Sequence, residues 1–117
     1  MSRTPRMTAT ALAAAALASA ALAQPAPPKA PAGLDGKALF QEKCAMCHGP
    51  GGMGTGLLAR RVKPAELEKR SDLNAGYVFQ YARRGLGNMP PVTPGEASDE
   101  QLRAIAAYLA AGPHGGK

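Results

Sequence analysis

Residues 44–56 read CAMCHGPGGMGTG, and this stretch decides what the rest of the chain must do. It holds both cysteines of the 117-residue chain, Cys44 and Cys47, one of its two histidines, His48, and two of its five methionines, Met46 and Met53. A structural disulfide closing so short a loop removes little unfolded-state entropy. A redox dithiol at this spacing belongs beside a βαβ pattern, and no alternating strand pattern occurs in the chain. Zinc needs about four ligands, but the only other cysteine or histidine is His114, and adjacent Cys47 and His48 would converge poorly on one tetrahedral ion.

The remaining reading is covalent haem attachment, for which cysteine, two residues, cysteine, histidine is the signature. Two thiols add across the two vinyl groups of the macrocycle, so their separation must match about one turn of helix. The histidine beside the second thioether is then held at the iron as proximal ligand.

Composition points the same way. Gly and Pro together number 25, Trp is absent, and the aromatic residues are Phe40, Phe79, Tyr77, Tyr81 and Tyr108. So small a chain with so little aromatic bulk would struggle to offset its chain entropy by burial of its own side chains. A prosthetic group would supply the missing core.

Arg3 and Arg6 precede an uncharged Ala/Leu-rich run, Thr8 to Ala23, that reads as a secretory signal peptide cleaved after Ala23. The run is shorter and less apolar than a membrane span of roughly 20 residues, so no transmembrane anchor is expected after cleavage. Losing Arg3 and Arg6 takes fourteen Lys and Arg to twelve, against eight Asp and Glu, a formal charge of +4. No stretch concentrates Lys and Arg as nucleic-acid binding requires, so no nucleic-acid partner is expected. The expected organisation is a signal peptide over 1–23, a flexible Pro/Ala-rich leader over 24–33, one folded domain over 34–112 and a flexible tail over 113–117. Export places the domain in the periplasm.

Within the domain the patterns are helical, and the fold class is all-α. Asp35 caps a helix from Gly36 to Ala45, and the glycines from 49 to 56 should break it into a loop. Pro64 opens a short helix over 65–70. Asn74 caps a segment running to Arg84, with Gly85 as its stop. Ser98 and Gln101 form a capping box ahead of Leu102, Ile105, Ala106 and Leu109, which share one helical face.

Four residues compete for the other face of the iron. Met46 and Met53 are tethered too close to His48 to cross the ring, and His114 lies in a glycine-rich tail that reads as solvated. Met89 follows His48 by 41 residues, and Pro90 restrains it to extended backbone. Met89 is the expected distal ligand.

The CAMCH run, Gly87-Asn88-Met89-Pro90-Pro91 and the terminal helices together resemble a class I monohaem cytochrome c from Asp35 to Ala111. The resemblance implies three to five helices wrapped around one covalently attached haem c, with His48 and Met89 as axial ligands. It also implies that Gly36 and Phe40 meet Ile105 and Tyr108 where the terminal helices cross. The implied activity is one-electron transfer at a positive reduction potential. With both axial positions filled there is no open site for substrate, so an electron carrier is expected and not an enzyme. The alternative is a haem enzyme or gas-sensing domain whose distal ligand is displaceable. A narrower similarity, over Leu57 to Arg61 and Arg83 to Pro91, is to cytochromes that pair with dehydrogenases, including cytochrome subunits of p-cresol methylhydroxylase-type flavoproteins. It implies a periplasmic flavoprotein or quinoprotein dehydrogenase as donor, and a terminal oxidase or another cytochrome as acceptor. Arg60, Arg61, Arg83 and Arg84 are candidates for pairing a haem propionate or for steering an acidic partner.

Overall fold

The computed structural model describes residues 31–115. The expected signal peptide and nearly all of the leader lie outside the described residues, as do the last two residues of the tail. Five α-helices follow one another: α1 Gly36–Lys43, α2 Ala45–His48, α3 Met53–Leu58, α4 Ala75–Arg84 and α5 Asp99–Ala110. One 3-10 turn, Leu67–Lys69, lies between α3 and α4. No strand occurs among the described residues; an isolated bridge joins Leu86 and Met89. The all-α expectation holds.

Three of the helices begin where local side-chain chemistry dictates. Asp35 accepts from the backbone N–H groups of Lys37 and Ala38 at 2.9 and 3.2 Å, satisfying two donors that a helix start leaves open. Asn74 does the same for Gly76 and Tyr77. Ser98 and Gln101 form a reciprocal box, with Gln101 N–H donating to Ser98 Oγ at 3.2 Å and Ser98 N–H to Gln101 Oε1 at 3.0 Å. Gly85 ends α4 at φ +75°, a conformation that side chains with a Cβ avoid.

The core forms where α1 crosses α5. Phe40, Ile105 and Leu109 are buried together, with Leu39, Cys44, Ala45, Leu67, Leu73, Val78 and Tyr108 packed around them. Gly36 makes this crossing possible: a Cβ there would lie 2.7 Å from Tyr108 Cβ and against the Ala104 carbonyl. Phe40 and Tyr108 face each other with ring centroids 6.3 Å apart. The expected set of Gly36, Phe40, Ile105 and Tyr108 is therefore the helix crossing itself. Ala75 and Ala82 are buried as well, on α4, the helix that packs against α5.

Two expectations about local structure need correction. The glycine run 49–56 is not all loop, because Met53–Leu58 is helical. Its glycines are what allow it to lie against the preceding turn. A Cβ on Gly52 would lie 2.6 Å from the Cys47 carbonyl carbon, and one on Gly54 would lie 2.8 Å from the Cys47 oxygen. Tertiary packing here outweighs the low helix propensity of glycine. The segment 65–70 is helical only as the 3-10 turn, with Pro64 outside it.

Candidate haem site

Cys44, Cys47 and His48 are brought together by one turn of chain. Cys44 is the junction between α1 and α2, and its carbonyl accepts from Cys47 N–H at 3.1 Å and from His48 N–H at 2.9 Å. The spacing of the two thiols is thus fixed by backbone hydrogen bonds. Both thiols are free; Cys44 is half-buried and Cys47 exposed.

Burial pushes the Cys44 thiol up to about 11, against the smaller lowering effect of Lys43 and with a slight further rise from Cys47. Cys44 is accordingly a protonated thiol at neutral pH. A reactive redox dithiol needs the opposite, a thiolate favoured by its surroundings.

His48 closes α2. Burial lowers its pKa below the ordinary imidazole value, which keeps the ring neutral and its ring lone pair available at neutral pH. Its Nδ1 is buried and has no hydrogen-bond partner. Gly54 of α3 abuts the same ring: a Cβ on Gly54 would lie 3.0 Å from His48 Cε1 and 3.2 Å from Nδ1. Thr55 fastens α3 to this turn by donating from Oγ1 to the Gly49 carbonyl at 2.8 Å. Neither Gly54 nor Thr55 stood out in the sequence, since a glycine-rich run gives no sign of which glycine meets the histidine.

Met89 lies on a separate loop after α4. Leu86 and Met89 exchange two backbone hydrogen bonds, both of 3.0 Å, around a turn whose Gly87 has φ +58°. A Cβ on Gly85 would lie 2.6 Å from the Met89 carbonyl oxygen, so the loop folds back tightly on the end of α4. Met89 is half-buried, whereas Met46 and Met53 are 89% and 71% exposed.

Residues 31–109 match the family model described as cytochrome c oxidase, cbb3-type, subunit III. The chain belongs to this family. It is a monohaem class I cytochrome c domain, carries one covalently bound c-type haem and works by haem-mediated electron transfer with redox protein partners. Among curated proteins, the cytochrome is similar to cytochrome c6 of Anabaena variabilis, 30% identical over 76 residues that cover 65% of this chain and 86% of that one. It is also 32% identical over 74 residues to cytochrome c6 of Synechocystis, covering 63% of this chain and 60% of that relative. No solved structure matches the chain.

The residues present fit such a group. Two free thiols one turn apart and a neutral imidazole, whose Nδ1 edge is packed against Gly54, make up the donor set that a c-type haem uses. No helix among the described residues is long and apolar enough to cross a membrane. No cluster of three or more His, Cys, Asp or Glu that could hold another metal occurs among them either.

Two of the other candidates do not behave as expected. His114 is half-buried and held against the fold. Its ring stacks on Tyr108 with centroids 4.0 Å apart, its Nε2 lies 2.6 Å from the Tyr108 carbonyl, and its N–H donates to the Glu68 carbonyl at 2.6 Å. Tyr108 in turn donates its hydroxyl to Glu68 Oε1 at 2.6 Å. A groove of about 280 Å³ beside these residues is lined by Lys37, Gln41, Glu66, Glu68, Tyr108 and His114 among others, and by none of Cys44, Cys47, His48 or Met89. Arg83 is not a surface arginine: its side chain is 15% exposed and is committed to carbonyls and a carboxylate of its own chain. Arg60, Arg61 and Arg84 are exposed.

Proposed function

We propose that the chain is an exported one-electron carrier in which Cys44 and Cys47 hold the haem through thioether bonds, His48 is the proximal iron ligand and Met89 the distal one. When bound, the haem supplies an iron that cycles between ferric and ferrous states. The chain's own residues would hold that iron. The observation that carries the reading is the α2 turn, where two free thiols and a neutral imidazole are offered together by backbone hydrogen bonds. Neutral imidazole and thioether donors favour the ferrous iron relative to anionic ligands, which supports a positive potential.

The domain boundaries follow from the same reading: a signal peptide over 1–23, a leader over 24–33 and the cytochrome domain over 34–112. Export puts the carrier in the periplasm, where a flavoprotein or quinoprotein dehydrogenase donates electrons and a terminal oxidase or another cytochrome accepts them. Arg60 and Arg61 are exposed, and such a pair raises the encounter rate with an acidic partner more than the affinity.

The test of the ligand set is absorption of the ferric, haem-loaded protein. Met89→Ala removes the charge-transfer band of sulfur-ligated iron, and Met53→Ala leaves it intact. Persistence of the band in Met89→Ala contradicts the assignment.

A further inference from the structure

Arg83 is built into the segment that carries Met89. Its Nη1 donates to the Val92 carbonyl at 2.8 Å and its Nη2 to the Ala97 carbonyl at 2.8 Å. Nε and Nη2 donate to Asp99 Oδ1 at 3.1 and 2.6 Å, so one guanidinium joins the end of α4, the Met89 loop and the first turn of α5. The same guanidinium lies 5.6 Å from the Phe79 ring centroid. Val92 is held at both backbone groups, because its N–H donates to the Ala82 carbonyl at 2.7 Å. At the other end of the loop, the Leu86–Met89 turn packs on Gly85. Beyond Val92, Thr93 N–H and Oγ1 donate to Glu96 Oε2 at 2.7 and 2.9 Å. Met89 therefore sits in the middle of a segment fastened on both sides, and Arg83 supplies the fastening on the Val92 side.

We propose that Arg83 is a positioning residue for the distal ligand, closing the Met89 loop on α5 and thereby setting how often the Met89 sulfur leaves the iron; this rests on Met89 being that ligand. An added ligand reaches ferric iron only in the fraction of molecules whose loop is open, so its apparent affinity reads that fraction directly. Loss of the charge-assisted hydrogen bond to Val92 raises the open fraction by about tenfold or more. Arg103 provides a matched control. It stacks on Phe79 at 5.1 Å and pairs with Asp99 at 3.9 Å, as Arg83 does, but has no bond to the loop.

The experiment is a titration of the ferric, haem-loaded cytochrome with imidazole, followed by absorption, for wild type, Arg83→Gln, Arg83→Lys, Arg103→Gln and Met89→Ala. Arg83→Gln is expected to bind imidazole about tenfold more tightly than wild type, with Arg103→Gln unchanged. Arg83→Lys keeps the charge beside Asp99 but cannot span both carbonyls, so it is expected to fall nearer Arg83→Gln than wild type. It carries the test if Arg83→Gln does not fold. Equal affinity in wild type and the Arg83 variants overturns the role, and so does an equal rise in Arg83→Gln and Arg103→Gln. Met89→Ala separates the two layers: if it binds imidazole no more tightly than wild type, Met89 is not the distal ligand and the role of Arg83 falls with it.

Discussion

At the scale of single residues, the consequential features are those whose surroundings change their chemistry. Tyr108 is pushed up to about 12 from the usual 10, first by burial and then by its hydrogen bond to the negatively charged Glu68. A raised folded-state pKa means that the neutral phenol is favoured by folding. This contribution is complete below the unfolded value near 10 and is lost as pH rises through the folded value. In an NMR titration of carbon-labelled tyrosine, Tyr108 is expected to ionise well above the usual value of 10. Ionisation of Tyr108 at the usual value contradicts the Glu68 contact. That Cys44, Cys47 and His48 share one turn was legible from the sequence because their spacing lies within a single helical turn. Arg83 and His114 were misread for the opposite reason. The partners of Arg83 lie 9, 14 and 16 residues away, and His114 reaches back to Glu68. No local pattern reports contacts that only the folded chain brings together.

At the scale of elements, helix starts follow local chemistry and helix contacts follow shape. Ser98→Ala removes half of the capping box of α5 and is expected to lower stability by about 1 kcal/mol in chemical denaturation. Gly36→Ala is a harsher change in spite of its size, because the added methyl meets the Ala104 carbonyl and Tyr108 Cβ across the α1–α5 crossing. A cost of about 1–3 kcal/mol is expected from the forced separation of two packed helices. An unchanged denaturation midpoint for Gly36→Ala contradicts that crossing. The caps at Asp35, Asn74 and Ser98 were readable because each acts on N–H groups two or three residues ahead. α3 was not, since a run such as Met53-Gly54-Thr55-Gly56 becomes helical only by packing on the α2 turn. The extended backbone before Pro90 was legible from the sequence, but the paired hydrogen bonds of the Met89 loop and its tie to α5 were not.

At the scale of the whole molecule, the buried core is small: Phe40, Leu102, Ile105 and Leu109 are its only large, fully buried side chains among the described residues, and alanines make up much of the rest. Such a core does not by itself offset the chain entropy of a domain this size, so a covalently fixed macrocycle is required as a structural component. The haem-free chain is expected to lack a native near-ultraviolet circular dichroism signal and to unfold without cooperativity; a cooperative transition contradicts this. Steering by Arg60 and Arg61 is likewise a property of the whole charge distribution. Electron-transfer rates with an acidic donor are expected to fall as ionic strength rises toward the range where the screening length is about 10 Å. The fall should be shallower in the double Arg60→Gln, Arg61→Gln variant. The central claim, a single six-coordinate haem that passes one electron and offers no open site, is tested most directly by film voltammetry of the haem-loaded chain under argon and then under carbon monoxide. One reversible one-electron wave at positive potential, unmoved by carbon monoxide, is the expected result. A wave that shifts under carbon monoxide, or one at negative potential, would contradict the claim.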